Sequence, residues 1–142
     1  NLHGLHLIKM QKFLNMQDYK KYFIIPTSPE NVYIALTNEA TARLWTGDIA
    51  KIEAIENGIF SLWDEAIIGH FISLEPAKKI VQEWYFGDQE TPSIVTIKLH
   101  EHKKGTSFEV IHTNIPDDAY EDMAEGWEDP FIASLVDFYT ED

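Results

Sequence analysis

Six histidines and 24 carboxylates are the residues of this chain that could shuttle protons or hold a metal, and their spacing argues against most such chemistry. His112 lies in a strand-like run, 106–113, whose alternation puts Phe108, Val110 and His112 on one face. An imidazole there could orient a polar ligand group or transfer a proton, or it could sit neutral in the core, bonded to a carbonyl or hydroxyl. Spacing places no carboxylate or second histidine beside it, so the neutral core role is expected. His100 and His102 are two apart and share a strand face, but two imidazoles without a third ligand fall short of a zinc site and read as a solvated edge. Glu53, Glu56, Asp64, Glu65, Glu75 and Glu83 include no pair whose spacing forces the shared geometry of acid/base hydrolysis. There is no G-x-S-x-G elbow and no glycine-rich phosphate loop. No catalytic residue, metal ligand or cofactor is therefore nominated.

The elements that would position these residues can be read from periodicity and punctuation. A first strand over 18–25 meets Pro26, which cannot donate to a sheet. Ser28, Pro29 and Glu30 then make a helix start, with a capping hydroxyl, a residue suited to the first turn and an acid at the positive end. Val32, Tyr33, Ala35 and Leu36 give this helix one apolar face, and Asn38 caps a second short helix through Ala42 to Trp45. A meander follows: strands over 49–55, 59–63 and 67–74, with turns at Glu56-Asn57-Gly58 and Asp64-Glu65. After Glu75-Pro76 come strands over 79–86 and 94–100, separated by a polar stretch over 87–92, and a turn over 102–105 leads into 106–113. An amphipathic acidic segment over 116–139 ends the chain, with Asp118 and Glu121 at capping-box spacing and Tyr120, Met123, Trp127, Phe131 and Leu135 on its inner stripe. Pro130 has no N–H for the Gly126 carbonyl, so a kink is expected near Asp129.

At 142 residues, 44% of them hydrophobic, the chain can bury a real core. One domain over 16–142 is expected, with 1–15 a tail, expression-derived or a processed leader, in which His3 and His6 carry no weight. A net charge of −13 repels phosphate backbones and anionic lipid, so neither nucleic acid nor membrane is an expected partner. The absence of cysteine suits a reducing, cytoplasmic setting, and the apolar runs are far shorter than the roughly 20 residues that cross a bilayer.

Particular residues within this order carry a resemblance. They are Thr27-Ser28-Pro29-Glu30 with Val32-Tyr33, Gly58 with Phe60, Gly69, Leu74-Glu75-Pro76, Lys79-Ile80-Val81 with Trp84, Ile94-Val95-Thr96-Ile97, Gly105-Thr106, Ile115-Pro116 and Gly126-Trp127. Collinear over nearly all of 22–139, they resemble the START-like (SRPBCC) superfamily. Within it, they resemble the family named for the C-terminal domain of the activator of the heat-shock-protein-90 ATPase. The chain departs from the family pattern at Gly58, where Ile59 follows instead of a second glycine, and at Pro130. The resemblance implies an α+β helix-grip fold like that of the birch-pollen allergen: a seven-stranded antiparallel sheet wrapped around a long C-terminal helix, in the order β-α-α-β6-α.

It also implies apolar space between sheet and terminal helix. Trp127, Phe131 and Leu135 would line it from the helix, Phe108, Val110 and His112 from the last strand, with Trp45, Phe60 and Trp84 alongside; the same stripe could instead fill the core. The first functional expectation is a non-enzymatic domain holding an apolar or amphipathic small molecule there. Two alternatives stand beside it: a co-chaperone-like module of the stress response, regulating a chaperone ATPase through the acidic surface, or an enzyme using the same cavity with His112 as its proton carrier.

Overall fold

The computed structural model describes residues 16–86 and 91–140. The expected N-terminal tail, and residues 87–90 of the expected polar stretch, lie outside the described residues. Strand β1 (Met16–Ile25) leads into helices α1 (Pro29–Thr37) and α2 (Glu39–Thr46). Strands β2 (Lys51–Ile52), β3 (Ile59–Leu62), β4 (Ile67–Glu75), β5 (Lys79–Trp84), β6 (Ser93–His102) and β7 (Gly105–Pro116) follow. The C-terminal helical segment comprises a 3₁₀ turn (Asp117–Ala119), α3 (Tyr120–Gly126), a break (Trp127–Ile132) and α4 (Ala133–Tyr139). All strand pairs are antiparallel, in the order β1-β7-β6-β5-β4-β3-β2, so the first strand lies against the last. This is the seven-stranded helix-grip arrangement.

Local chemistry explains most boundaries. The Ser28 hydroxyl accepts from the Asn31 N–H at 3.2 Å, and Asn38 Oδ1 accepts from the Thr41 N–H at 2.9 Å while its own N–H donates to the Ile34 carbonyl. One asparagine thus ends α1 and starts α2. Gly47, at φ 68°, closes α2 in the left-handed conformation. The two helices bury Val32, Ala35, Leu36, Ala42 and Trp45, and the Trp45 indole N–H donates to the Ala35 carbonyl at 2.7 Å. On the sheet, alternation decides the inner face: Ile80, Gln82 and Trp84 on β5, Val95, Ile97 and Leu99 on β6, Phe108, Val110 and His112 on β7, all buried.

The structure departs from the sequence expectations at three places. The strand expected over 49–55 is two residues long, because the Ile55 N–H turns back to the Glu53 carbonyl at 2.9 Å and Ile49 and Ile55 stay exposed. Asn57 carries the positive φ of that turn, and Gly58 answers a different need: a Cβ there would stand 2.0 Å from the Glu53 carbonyl oxygen. Asp118 and Glu121 form no capping box. The chain enters α3 through the 3₁₀ turn, with no side-chain cap, and the neighbouring Asp117 carboxylate accepts from the Gln17 amide. The expected kink is present: Asp129 takes φ −148°, ψ 117°, between two helical stretches. One irregularity went unanticipated. Ile72 bulges from β4, so Phe71 pairs with Gln82 and Ser73 with Val81.

Candidate functional site

The nine residues nominated from the sequence for the interior are all buried, none more than 4% exposed. Six of them meet as rings. Trp84 stacks on Trp127 with centroids 5.1 Å apart and planes at 23°, Trp127 lies 4.5 Å from Phe131, and Phe108 is 6.4 Å from Trp127. Phe131 reaches Trp45 at 5.3 Å, and Trp84 meets the His112 ring at 5.1 Å. Phe60 stands apart from these, its ring contact being with Phe71 at 5.3 Å, while Val110 and Leu135 are fully buried in the same core. These separations are those of rings in offset or edge contact, each pair adding about 0.5–1.5 kcal/mol to the burial of its area. The break at Asp129 lies between Trp127 and Phe131 in sequence, yet both rings stay on the sheet side. Two members of the cluster were missed by sequence reasoning. Trp63, 5.4 Å from Trp45 and 5.8 Å from Phe131, follows β3 at φ 50°, so strand alternation could not assign its side; Phe86, 5.9 Å from His112, lies just past the end of β5.

His112 is the polar centre of this interior. The Trp127 indole N–H donates to its Nδ1 at 3.1 Å, so the ring is neutral and carries its hydrogen on Nε2, which has no hydrogen-bond partner among the described residues. The expected neutral role is observed, but the partner is an indole rather than a carbonyl or hydroxyl. Burial pushes its pKa down to about 3, because the interior disfavours the cation. Among the described residues, the buried hydroxyls of Tyr19, on the edge strand, and Ser61 are likewise without a partner. The Tyr19 pKa is raised to about 12, first by burial and then by the charge of Glu128 and by Tyr120, whose ring meets it edge-on at 6.4 Å.

The outer face of the sheet holds two ion-pair networks. Glu109 is buried at an outward position, where His100 Nε2 lies 2.8 Å from it and Lys20 3.7 Å; the His100 hydrogen bond leads the causes that hold its carboxyl below the ordinary carboxylate range. His100 is therefore bound to a carboxylate, and His102 Nδ1 accepts from the Lys104 N–H at 3.0 Å. The second network joins β4 to β5 and the residue beyond it: His70 Nε2 is 3.0 Å from Glu83, and its Nδ1 meets the hydroxyl of Tyr85, just past the end of β5. At the start of the terminal helix, Asp117, Asp118, Glu121 and Asp122 surround an open acidic hollow of about 550 Å³ with Gln17 and Tyr120. Among the described residues, no three histidine or acidic side chains converge as metal ligands, and no helix is long and apolar enough to cross a membrane.

A bent antiparallel sheet closed by a C-terminal helical segment over an aromatic interior defines a START-like helix-grip domain. The family "Activator of Hsp90 ATPase homolog 1-like protein" matches residues 26–138, and the chain belongs to it. A Dictyostelium discoideum protein, "Activator of 90 kDa heat shock protein ATPase homolog", is 35% identical over 103 residues, 70% of this chain and 27% of that protein. Among solved structures, an HSP90 activator from Plasmodium falciparum superposes with a TM-score of 0.76 at 25% identity, covering 84% of this chain and 93% of that one. The Aha1 dimer from Colwellia psychrerythraea shares the fold at TM-score 0.75 and 19% identity, with 86% and 95% covered. The chain spans about a third or less of the length of the curated relatives it matches.

Proposed function

We propose that this chain is a non-enzymatic, cytoplasmic domain that docks on an Hsp90-type chaperone and stimulates its ATPase. The observation that carries this reading is membership of the activator family over residues 26–138, together with 35% identity to an activator homologue. The interior is consistent with it. The titratable group at its centre, His112, is held neutral by burial and already accepts the Trp127 N–H, so it is poorly placed to cycle a proton at neutral pH. The experiment is a steady-state ATPase assay of the Hsp90-type chaperone encoded in the same genome, with and without this protein. Stimulation that saturates supports the reading; an unchanged rate with no measurable complex sinks it.

A second reading is the small-molecule one, and His112 is what favours it. An Nε2–H buried without a partner costs about 1–3 kcal/mol, and an amphipathic ligand with one acceptor atom would remove that penalty while its apolar body lay against Trp84, Phe108 and Leu135. A hydrophobic fluorescent probe tests it. Saturable binding near one per chain, lost in folded Phe108→Asp or Leu135→Asp, supports an interior ligand; no binding to the wild type argues against it.

A further inference from the structure

We propose that the outer face of β3, β4 and β5 is the docking surface, and that it fits a partner patch with an apolar centre and a rim of lysine and arginine. This rests on the chaperone-docking reading above. Ile59 stands across from His70; Ile68 and the bulged Ile72 flank His70 on the same strand face, and the Tyr85 N–H donates to the Ile68 carbonyl at 3.0 Å. Ile59, Ile68, Ile72 and Tyr85 are exposed at 57%, 39%, 38% and 46%, and Ile55, on the adjoining turn, at 63%. Together they gather exposed apolar side chains on one face of the sheet, and such a patch on a monomer is often an interaction site.

Two features separate this patch from the exposed side chains elsewhere on the molecule. Its polar centre is already satisfied from within. Tyr85 donates to His70 Nδ1 and His70 Nε2–H to Glu83, so a partner can exclude water there without leaving these groups unpaired. Its rim is mainly acidic. Between positions 49 and 85 the sequence has six carboxylates and three lysines, Lys51, Lys78 and Lys79, and four of those acids, Glu53, Glu56, Asp64 and Glu65, stand exposed on the turns on either side of β3. An apolar centre inside an acidic rim selects a partner of opposite rim charge and repels acidic surfaces. The acidic hollow at the helix start lacks the apolar centre.

The test uses the full chain and the chaperone from the same genome, with affinity measured by calorimetry. Ile59→Glu with Ile68→Glu, and separately Glu53→Lys with Glu65→Lys, should each weaken binding about tenfold or more. Neutralising Asp118, Glu121, Asp122 and Glu125 at the helix start should change it by less than about twofold. Patch variants that bind like the wild type, with the helix-start variant impaired, would overturn the surface assignment and leave the chaperone reading standing. A wild type that binds no chaperone sinks that reading and this inference with it. Hydrogen exchange on the wild-type complex answers the same question if a variant fails to fold: slowing over 59–72 and 79–85 supports the face, and slowing confined to other elements rules it out.

Discussion

Burying His112 with its Nδ1 accepting an indole proton makes folding stability depend on pH in one direction. Its folded pKa of about 3 lies below the ordinary histidine value near 6.5, so between those limits the unfolded chain binds a proton that the native state refuses. Above the window the group contributes nothing; as pH falls through it, stability drops by about 1.4 kcal/mol per unit for this one proton. Urea midpoints from pH 7 to 4 should therefore fall steadily in the wild type and more shallowly in His112→Gln, which keeps an acceptor for Trp127. An equal slope in both would show that other groups set the acid limit. Glu109 adds to the loss further down: its carboxyl is held low in the fold, so its contribution is present above the ordinary carboxylate value and disappears as pH falls through the lowered one. Trp127 is 1% exposed and stacked on Trp84, and Trp127→Ala should cost about 3–5 kcal/mol in denaturant unfolding. A loss below about 1 kcal/mol would place the indole outside the core.

Caps and glycines set the elements, and they can be tested one by one. Ser28→Ala should lose about 1 kcal/mol and Asn38→Ala somewhat more, since its Oδ1 accepts from both the Thr41 N–H and the Thr41 hydroxyl while its backbone bond to Ile34 survives, whereas Asp118→Ala should stay within about 0.5 kcal/mol because no cap bond is lost. Gly69→Ala should be worse than all three: its Cβ would stand 2.0 Å from the Glu83 carbonyl oxygen and 2.9 Å from the Phe60 ring, so β4 and β5 would have to part. Thermal melts of the four variants check this order. The starts of α1 and α2, the last strand's alternation and the kink at Asp129 were legible in the sequence because each depends on residues close together in the chain. The His70–Glu83–Tyr85 network was not. Counting back from the Glu75–Lys79 turn without the bulge at Ile72 sets His70 opposite Trp84 on the inner face, and the extra residue is what turns it outward to Glu83. The partnership of His112 with Trp127 was equally hidden, since it joins a strand to a helix whose offset along the sheet no periodicity gives.

At the scale of the whole molecule, charge and burial separate the two functional readings. A net charge of −13 means that a complex with a basic-rimmed chaperone patch should weaken as salt rises from about 50 mM to about 500 mM, where screening shortens from well over 10 Å to a few ångströms. Binding of an apolar probe inside should hardly respond. A chaperone affinity indifferent to salt would remove charge complementarity from the account. The interior also has an optical consequence. All four tryptophans belong to one ring cluster: the stacked Trp84 and Trp127, and the perpendicular Trp45 and Trp63, bridged by Phe131. Indoles this close share excitation, so the near-ultraviolet dichroism and the emission of this protein record the state of one enclosed assembly, and a partner that settles on the outer face of the sheet can do so in spectroscopic silence.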